Sequence, residues 1–197
     1  MRGSKIMKAT IISHSQTPKV EVPQDALDLI AYCARVSNPE NQANTTTNEK
    51  LVKYLMKHKH WSPLEMVSVC MEVETTRDIA RQLLRHRSIE LDPEMDGHAV
   101  LQGTWKNKQQ RVVDAALDAY TWALSNGIAK EQARVVLPEG NTLSRLYVNG
   151  TLRSWIHYIE LRGANGTQLE HMELAHAVAD AITEIFPIAE EFKNKKI

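Results

Sequence analysis

The chain has 197 residues, of which 43% are hydrophobic, so it is long enough to bury a full core. Lysine and arginine together number 24, as do aspartate and glutamate, so no overall charge attracts nucleic acid or an anionic membrane. No apolar run approaches a membrane span, and Cys33 and Cys70 form neither a C-x-x-C pair nor a zinc-type spacing. We expect free thiols and a cytoplasmic protein, bacterial or, if viral, in the host cytoplasm. Residues 1–6 are expected to be an expression leader.

Hydrophobic periodicity along the chain predicts an α+β protein in which helices dominate. Strands are expected at 8–13, 66–73 and 143–148. Helices are expected at 24–36, 48–58, 107–125, 131–137, 151–161 and 168–185, and 37–47 is expected to be a loop. A further, basic helix should follow Thr75–Asp78, where a threonine or the aspartate would serve as its N-cap. Because no linker or repeat divides the chain, we predict one domain over residues 1–197.

The basic helix is a candidate for a binding site, since Arg81–Arg87 contains three arginines and one histidine. At helical spacing Arg81 and Arg85 share one face. No acidic residue lies between Asp78 and Glu90, so this charge has no local partner in the sequence. Guanidinium groups bind phosphates and carboxylates in bidentate fashion, which favours a polyanionic ligand. A solvated basic helix face explains these seven residues equally well.

Other motifs are weaker or absent. Glu173 and His176 form a single E-x-x-H, an element that di-iron bundles use in pairs, so we expect no metal site. There is no G-x-G-x-x-G, phosphate-binding loop or G-x-S-x-G, which argues against dinucleotide-binding, P-loop and hydrolase folds. In Thr151–Arg162, Arg153 and His157 share one helix face, a pattern that alone is typical of ordinary amphipathic helices.

Together, however, four motifs in this order resemble the flavin-dependent thymidylate synthases. They are His60–Glu65 (HWSPLE), Arg81–Arg87 (RQLLRHR), Glu131–Pro138 (EQARVVLP) and the segment from Leu152 to Arg162. The match extends from about Ala31 to the last predicted helix. The resemblance implies a helix-rich domain with a small, mostly antiparallel sheet.

The resemblance also implies a reaction. Family members methylate dUMP to dTMP with FAD as cofactor and with NADPH and methylenetetrahydrofolate as co-substrates, without a covalent protein nucleophile. A homotetramer with active sites between subunits is implied as well, and no nucleic acid or membrane is expected as a partner.

Carried over by motif, the family roles fall on particular residues. The catalytic residues would be Arg162, which would hold the uracil edge and favour its ionised form, and His60, near the flavin and folate rings. For Arg162 the structural alternative is a cation that complements the helix C-terminus. The dUMP contacts would be Gln82, Arg85, Arg134 and Arg162. The FAD contacts would be Ser62, Arg85, His86, Arg87, Thr151, Arg153 and His157. Of these, Thr151 and His157 replace asparagines found in some members.

The arginine-bearing helices lead to an expectation about charge. Unpaired buried cations are costly, so we expect flavin phosphates and another subunit to neutralise these arginines.

After Arg87 the chain departs from the family pattern, which usually continues x-x-S-x-(N or Q)-E-x-S-x-R-Y. Ser88–His98 places none of those residues at its expected offset, and the likeness resumes at Lys106–Gln110. Either the loop is lost in a divergent homologue, or the sequence closes over missing residues between Ile89 and Glu90. The second explanation predicts that these two residues are not bonded neighbours.

Three alternative functions stay open. The chain could transfer another one-carbon group to a pyrimidine nucleotide, for example by hydroxymethylation. It could be a non-catalytic flavin- or nucleotide-binding homologue, because the loop after Arg87 departs from the pattern. It could bind nucleic acid through Arg81–Arg87, although zero net charge weighs against this.

Overall fold

The structure, a computed structural model, describes residues 7–17, 25–84, 99–164 and 167–193, with only the backbone described at 99–102. Within these ranges, the strands and α-helices are β1 (Lys8–His14), α1 (Ala26–Ala34), α2 (Asn48–Lys57), β2 (Ser68–Thr76), α3 (Arg77–Leu84), α4 (Ala99–Ser125), α5 (Lys130–Ala133), β3 (Leu143–Thr151), α6 (Leu152–Arg162) and α7 (Leu169–Thr183). Short 3-10 helices form at Arg35–Ser37, Pro39–Asn41, Ser62–Met66, Arg134–Val136, Glu139–Asn141 and Pro187–Phe192. Among the described helices, none is both long and apolar enough to cross a membrane.

The predicted helix-rich α+β fold with a small antiparallel sheet is confirmed. Several bounds differ. The helix predicted at 131–137 is the short α5 followed by the 3-10 turn Arg134–Val136. Helix α4 begins at Ala99 rather than at 107; the residues before 107 have weak apolar periodicity and include Gly103, so their pattern did not predict a helix. The predicted aspartate cap is wrong, since β2 runs directly into α3 and Asp78 lies in the first helical turn.

The chain divides into two compact units. Unit 1 comprises Met1–Glu74 with Arg145–Ile197, and unit 2 comprises Thr75–Ser144. That the chain forms a single domain stays a prediction.

The sheet of unit 1 has the order β1-β2-β3, with β1 antiparallel to β2. Along β2, Val69, Met71 and Val73 are fully buried, while the alternating residues are half-buried. This alternation is what a strand with one apolar face and one wetter face requires. Strand β1 carries a bulge, because Ile11 pairs with Met71 but the next partner of β2 is Ser13.

Helices α6 and α7 build the core beside this sheet. Helix α7 packs on β1, and α6 packs on α7. On α7, Leu174, Val178 and Ile182 recur every fourth position and are fully buried. Burial of each such side chain stabilises the fold by about 1.5–3 kcal/mol. On α6, the indole Nε1 of Trp155 donates to the carbonyl oxygen of Val69 over 3.0 Å, which ties the helix to β2.

A buried arginine organises the polar connection between α1 and α2. Arg35 donates to the carbonyl oxygen of Asn44 at 2.7 Å, to Oγ1 of Thr47 at 2.9 Å and to the side chain of Asn48. Asn48 in turn donates to Asp28 of α1 at 2.8 Å. The region predicted as a loop, 37–47, is therefore held by Arg35 through Asn44 and Thr47. It contains the 3-10 turn Pro39–Asn41, and the turn Arg35–Ser37 ends at its first residue.

In unit 2, α3 packs on the 3-10 turn Glu139–Asn141, and α4 packs on α5. The N–H of Arg77 donates to the carbonyl oxygen of Thr142 over 2.9 Å. Ile79 is fully buried and Leu83 nearly so, one helical turn apart, so they turn one face of α3 inward.

Candidate active site

The HWSPLE motif follows an unusual helix end. Lys59 has φ of 60°, the left-handed region, and it directly follows α2 and its cap residue. Its N–H donates to the carbonyl oxygen of Met56 at 3.1 Å, and the N–H of His60 donates to that of Leu55 at 2.8 Å. This is a Schellman motif, in which glycine normally occupies the position of Lys59. A non-glycine residue there costs about 1–2 kcal/mol. The backbone of His60 is fixed as a result, while its side chain is exposed.

The rest of the motif is held against the start of α6. Pro63 opens the 3-10 helix Ser62–Met66, and Leu64 within it is fully buried. Directly after this turn, the carbonyl oxygen of Val67 accepts a hydrogen bond of 2.7 Å from the N–H of Leu152. Ser62 itself is exposed.

The first turn of α6 brings two predicted FAD contacts to this motif. Thr151 caps the helix, with its Oγ1 accepting from the N–H of Ser154 at 3.3 Å. Arg153 forms an ion pair with Glu65 of the motif. Because each side chain is about 40% exposed, this ion pair positions the guanidinium more than it stabilises the fold.

Further along α6, the ring of His157 contacts Trp61 edge to face, with centroids 4.8 Å apart. Both rings line an open cavity of about 700 Å³. Met56, Ile188 and Phe192 contribute its apolar lining. Its charged lining consists of Lys53, Lys57, Lys59, Glu160 and Glu191. The cavity therefore offers aromatic surface together with charges of both signs.

Arg162 is the last residue of α6 and is half-buried. It lies one turn beyond Tyr158. Burial raises the pKa of the Tyr158 phenol, and the positive charge of Arg162 offsets a smaller part of that rise. The next residue, Gly163, has no room for a side chain, since a Cβ would lie 2.7 Å from the carbonyl oxygen of Ile159 and 3.1 Å from that of Lys193. The helix end that carries Arg162 is thus closely packed.

His176, the histidine of the E-x-x-H motif, forms hydrogen bonds at this helix end. Nε2 of His176 lies 3.2 Å from the carbonyl oxygens of both Gly163 and Lys193. Two acceptors require that this nitrogen carry the proton and donate. In the part of the chain that the structure describes, no group of three or more potential ligands could hold a metal ion.

Unit 2 carries the predicted dUMP contacts Gln82 and Arg134. Gln82 is half-buried on α3, and Arg134, which opens a 3-10 turn, is exposed. Arg81 forms an ion pair with Glu139 at 2.6 Å, which links α3 to the segment that follows Arg134. Arg134 makes no ion pair with any described residue. The elements that carry Gln82 and Arg134 are therefore joined within unit 2.

Comparison with known proteins supports the motif resemblance. Residues 20–188 match the family model described as "Thymidylate synthase complementing protein". The chain belongs to this family.

Two curated members show how far the likeness extends. The chain is 40% identical to a probable flavin-dependent thymidylate synthase of Paramecium bursaria Chlorella virus 1, over 92% of this chain and 96% of the relative. It is 39% identical to the flavin-dependent thymidylate synthase of Synechocystis, over 81% of this chain and 85% of the relative. The viral alignment spans 209 positions, more than the 197 residues of this chain, so the relative carries residues with no counterpart here.

A solved structure supports the fold. The crystal structure of the UMP/dUMP methylase PolB from Streptomyces cacaoi, bound with 5-Br dUMP, matches with a TM-score of 0.74 and 23% identity. The match covers 94% of this chain and 93% of that one. The fold of that protein is therefore shared over nearly the whole chain.

The predicted site residues divide between the units. His60, Ser62, Thr151, Arg153, His157 and Arg162 lie in unit 1, and Gln82 and Arg134 lie in unit 2. Arg85, His86 and Arg87 lie outside the described residues, as do the proposed break between Ile89 and Glu90 and residues 1–6. The roles of all these residues stay predictions.

We expected flavin phosphates and another subunit to neutralise the arginine-bearing helices, but two of these arginines have carboxylate partners within the same chain. Arg81 pairs with Glu139, and Arg153 pairs with Glu65. Both acids come from segments distant in sequence, which is why a search for nearby acidic residues missed them.

Sequence reasoning also missed Trp61 and Lys59 as cavity residues. Trp61 stood inside the HWSPLE motif, and its large aromatic side chain beside a polar histidine was a usable signal. For Lys59 the signal was indirect, since the predicted helix 48–58 ended without the glycine that usually closes such helices.

Proposed function

We propose that this chain is a flavin-dependent thymidylate synthase that converts dUMP to dTMP. The observation that carries the proposal is the joining of two family motifs in unit 1. The HWSPLE segment meets α6 through the Arg153–Glu65 ion pair, the contact of Trp61 with His157 and the hydrogen bond from Leu152 to Val67. Hydroxymethylation and a non-catalytic homologue are not favoured, because the relatives are flavin-dependent thymidylate synthases.

The proposed reaction consumes dUMP, methylenetetrahydrofolate, NADPH and one proton, and yields dTMP, tetrahydrofolate and NADP⁺. The donated carbon replaces the hydrogen on C5 of the pyrimidine, and reduction by a hydride makes it a methyl group. FAD, when bound, relays the reducing equivalents between NADPH and the transferred carbon.

The residues of unit 1 fit a flavin. His157 and Trp61 contact each other edge to face and line the cavity, and the exposed Ser62 is available as a hydrogen-bond partner. Arg153 is held in place by Glu65, so its guanidinium is positioned before a ligand arrives. Thr151 caps α6 and thereby fixes the start of the helix that carries Arg153 and His157. In this proposal Arg85, His86 and Arg87 complete the FAD set.

Arg162 and His60 are the proposed catalytic residues. Packing around Gly163 holds Arg162 at the end of α6, so its positive charge can stabilise a pyrimidine that has lost its N3 proton. An ionised, electron-rich ring is a better nucleophile at C5. His60 is exposed on a fixed backbone, where it could contact the flavin and folate rings.

For dUMP, we propose contacts from Gln82, Arg85 and Arg134, with the phosphate on Arg134. Arg134 is exposed and has no carboxylate partner among the described residues, so its guanidinium is available for an anion. The dianionic phosphate suits a guanidinium because two N–H groups can donate in parallel.

A homotetramer in the cytoplasm completes the proposal. Support for self-association comes from α4, where Trp105, Val112, Leu117 and Trp122 are each more than half exposed. Large apolar side chains exposed along one helix are typical of surfaces that another chain covers.

The test of the proposed function is an assay of the purified protein. Protein loaded with FAD, given dUMP, methylenetetrahydrofolate and NADPH, should form dTMP, identified by mass spectrometry. A product one oxygen atom heavier would point to hydroxymethylation. Flavin absorbance without any nucleotide product would point to a non-catalytic homologue.

A further inference from the structure

The cavity beside Trp61 and His157 carries an excess of positive charge. Three lysines and two glutamates line it. Lys53 is already paired, with Glu49 at 2.9 Å and Glu191 at 2.8 Å. Lys57 and Lys59, by contrast, form no ion pair within the described ranges of the chain. Two ammonium groups therefore line this cavity without an ion-pair partner among the described residues, although the acid Glu160 belongs to the same lining.

One of these lysines, Lys59, occupies a backbone position where glycine is usually found. Lys59 has φ of 60° at the closing residue of a Schellman motif, where its side chain adds strain and no helix-closing contact. Nothing in the helix end itself requires a lysine. We therefore attribute the strained lysine to a binding role of its ammonium group in the cavity that it lines.

We propose that this cavity binds the anionic tail of a ring-bearing co-substrate, and that Lys59 is the residue that anchors this tail. The inference rests on the proposed function, since it concerns how a co-substrate of that reaction is held. With FAD bound beside Trp61 and His157, the ring of the ligand would lie next to the flavin, and its tail would run toward Lys59 and Lys57. Two co-substrates have this chemistry: the folate donor, with its glutamate carboxylates, and NADPH, with its phosphates.

The test uses the left-handed position of Lys59 to separate stability from binding. Lys59→Gly removes the strain and the charge together, so it should raise the Tm by about 2–4 °C while weakening binding of the anionic ligand. Lys59→Asn tolerates the left-handed conformation and also lacks the charge, so it should weaken binding by the same factor. Lys59→Arg keeps the charge and should bind as the wild type does. Lys50→Ala, an exposed lysine of α2 outside the cavity, is the matched control.

Binding is measured directly, by calorimetry on FAD-loaded protein, so the result does not depend on turnover. The titrants are methylenetetrahydrofolate with one or three glutamates, and NADPH or NADH. Loss of one partly exposed ionic contact predicts about a fivefold increase in Kd for the affected ligand in Lys59→Gly.

The titrations identify the source of the tail. A larger loss for the triglutamate than for the monoglutamate assigns the tail to folate, and a loss for NADPH that NADH does not share assigns it to the 2′-phosphate. A more stable Lys59→Gly variant with unchanged Kd for all four ligands would overturn the proposal, as would an equal loss in Lys50→Ala. If dTMP does not form but the Kd values shift as expected, the proposed function fails and the binding site stands.

Discussion

The imidazole of His157 and the indole of Trp61 meet edge to face, with ring centroids 4.8 Å apart. One ring comes from the middle of α6 and the other from the HWSPLE motif. Because both rings line the same cavity, a change at either one alters the surface offered to a ligand.

We therefore expect His157→Ala to bind FAD about two- to tenfold more weakly, the range for loss of an aromatic edge contact. His157→Asn, which restores the asparagine of some family members, should bind FAD nearly as well as the wild type. The measurement is quenching of flavin fluorescence on titration. His58→Ala removes an exposed histidine that stacks on Tyr54, and it should leave FAD binding unchanged. Equal loss in His157→Ala and His58→Ala would contradict the assignment.

Arg162→Lys should fold and bind FAD but lose dTMP formation by about 100-fold, because an ammonium group cannot reproduce the guanidinium fork. The measurement is kcat with NADPH and methylenetetrahydrofolate at saturating dUMP. Arg145→Lys, on the wetter face of the sheet, is the control and should keep full activity. Near-normal turnover of Arg162→Lys would rule out the catalytic role.

Gly163→Ala should lower the free energy of unfolding by about 1–3 kcal/mol, since the new Cβ meets two carbonyl oxygens of the backbone. Gly103→Ala is the opposite case. Apart from its chain neighbours and the backbone of its own helix, no atom of the described residues lies within 4 Å of where its Cβ would be, and the residue lies inside α4. That change should stabilise the protein by up to about 1 kcal/mol. Urea denaturation measures both values. An unchanged free energy of unfolding in Gly163→Ala would show that the backbone at the end of α6 shifts to accommodate the methyl group.

Arg134→Gln should raise the KM for dUMP about 10- to 100-fold, as expected for loss of a charge-assisted contact with phosphate. Deoxyuridine, which lacks the phosphate, should bind both proteins equally poorly. Arg111→Gln, an exposed arginine of α4, provides the control for a general loss of charge. An unchanged KM for dUMP in Arg134→Gln would show that Arg134 does not bind the phosphate.

The buried phenol of Tyr158 predicts a dependence of stability on alkaline pH. Burial raises its pKa above the ordinary 10.0, so the folded protein retains the phenolic proton that the unfolded chain releases. The corresponding stability is present below pH 10 and is lost as the pH rises further. Between about pH 9 and pH 11, the free energy of unfolding should fall less steeply in Tyr158→Phe than in the wild type. Parallel curves would show that Tyr158 does not titrate differently in the two states.

The elements of the fold were predictable because each has a clear local signal. Leu174, Val178 and Ile182 repeat at helical spacing, and the alternation of Val69, Met71 and Val73 marks a buried strand. The family was also predictable, from four motifs in a characteristic order, and it is confirmed.

Contacts between distant segments were not predictable from these patterns. Glu65 and Arg153 are 88 positions apart, and each alone has the sequence context of an ordinary exposed residue. The acid that pairs with Arg81 likewise comes from beyond α4, so a local count of charges could not find it. The strain at Lys59 was not predictable for another reason. A left-handed backbone angle is recognisable in a sequence mainly where a glycine occupies the position, and here the residue is a lysine.

The bulge in β1 bears on how the protein avoids aggregation. In the order β1-β2-β3, β1 is an edge of the sheet, and its outer backbone groups could pair with a strand from another molecule. The extra residue, Ile12, lies between paired positions and is 54% exposed, so the edge is locally bent there. Deleting Ile12 would straighten the strand and turn Ser13 and His14 to the opposite faces. The edge would then be a regular template for intermolecular pairing, and we would expect the protein to form insoluble assemblies at concentrations where the wild type stays dissolved.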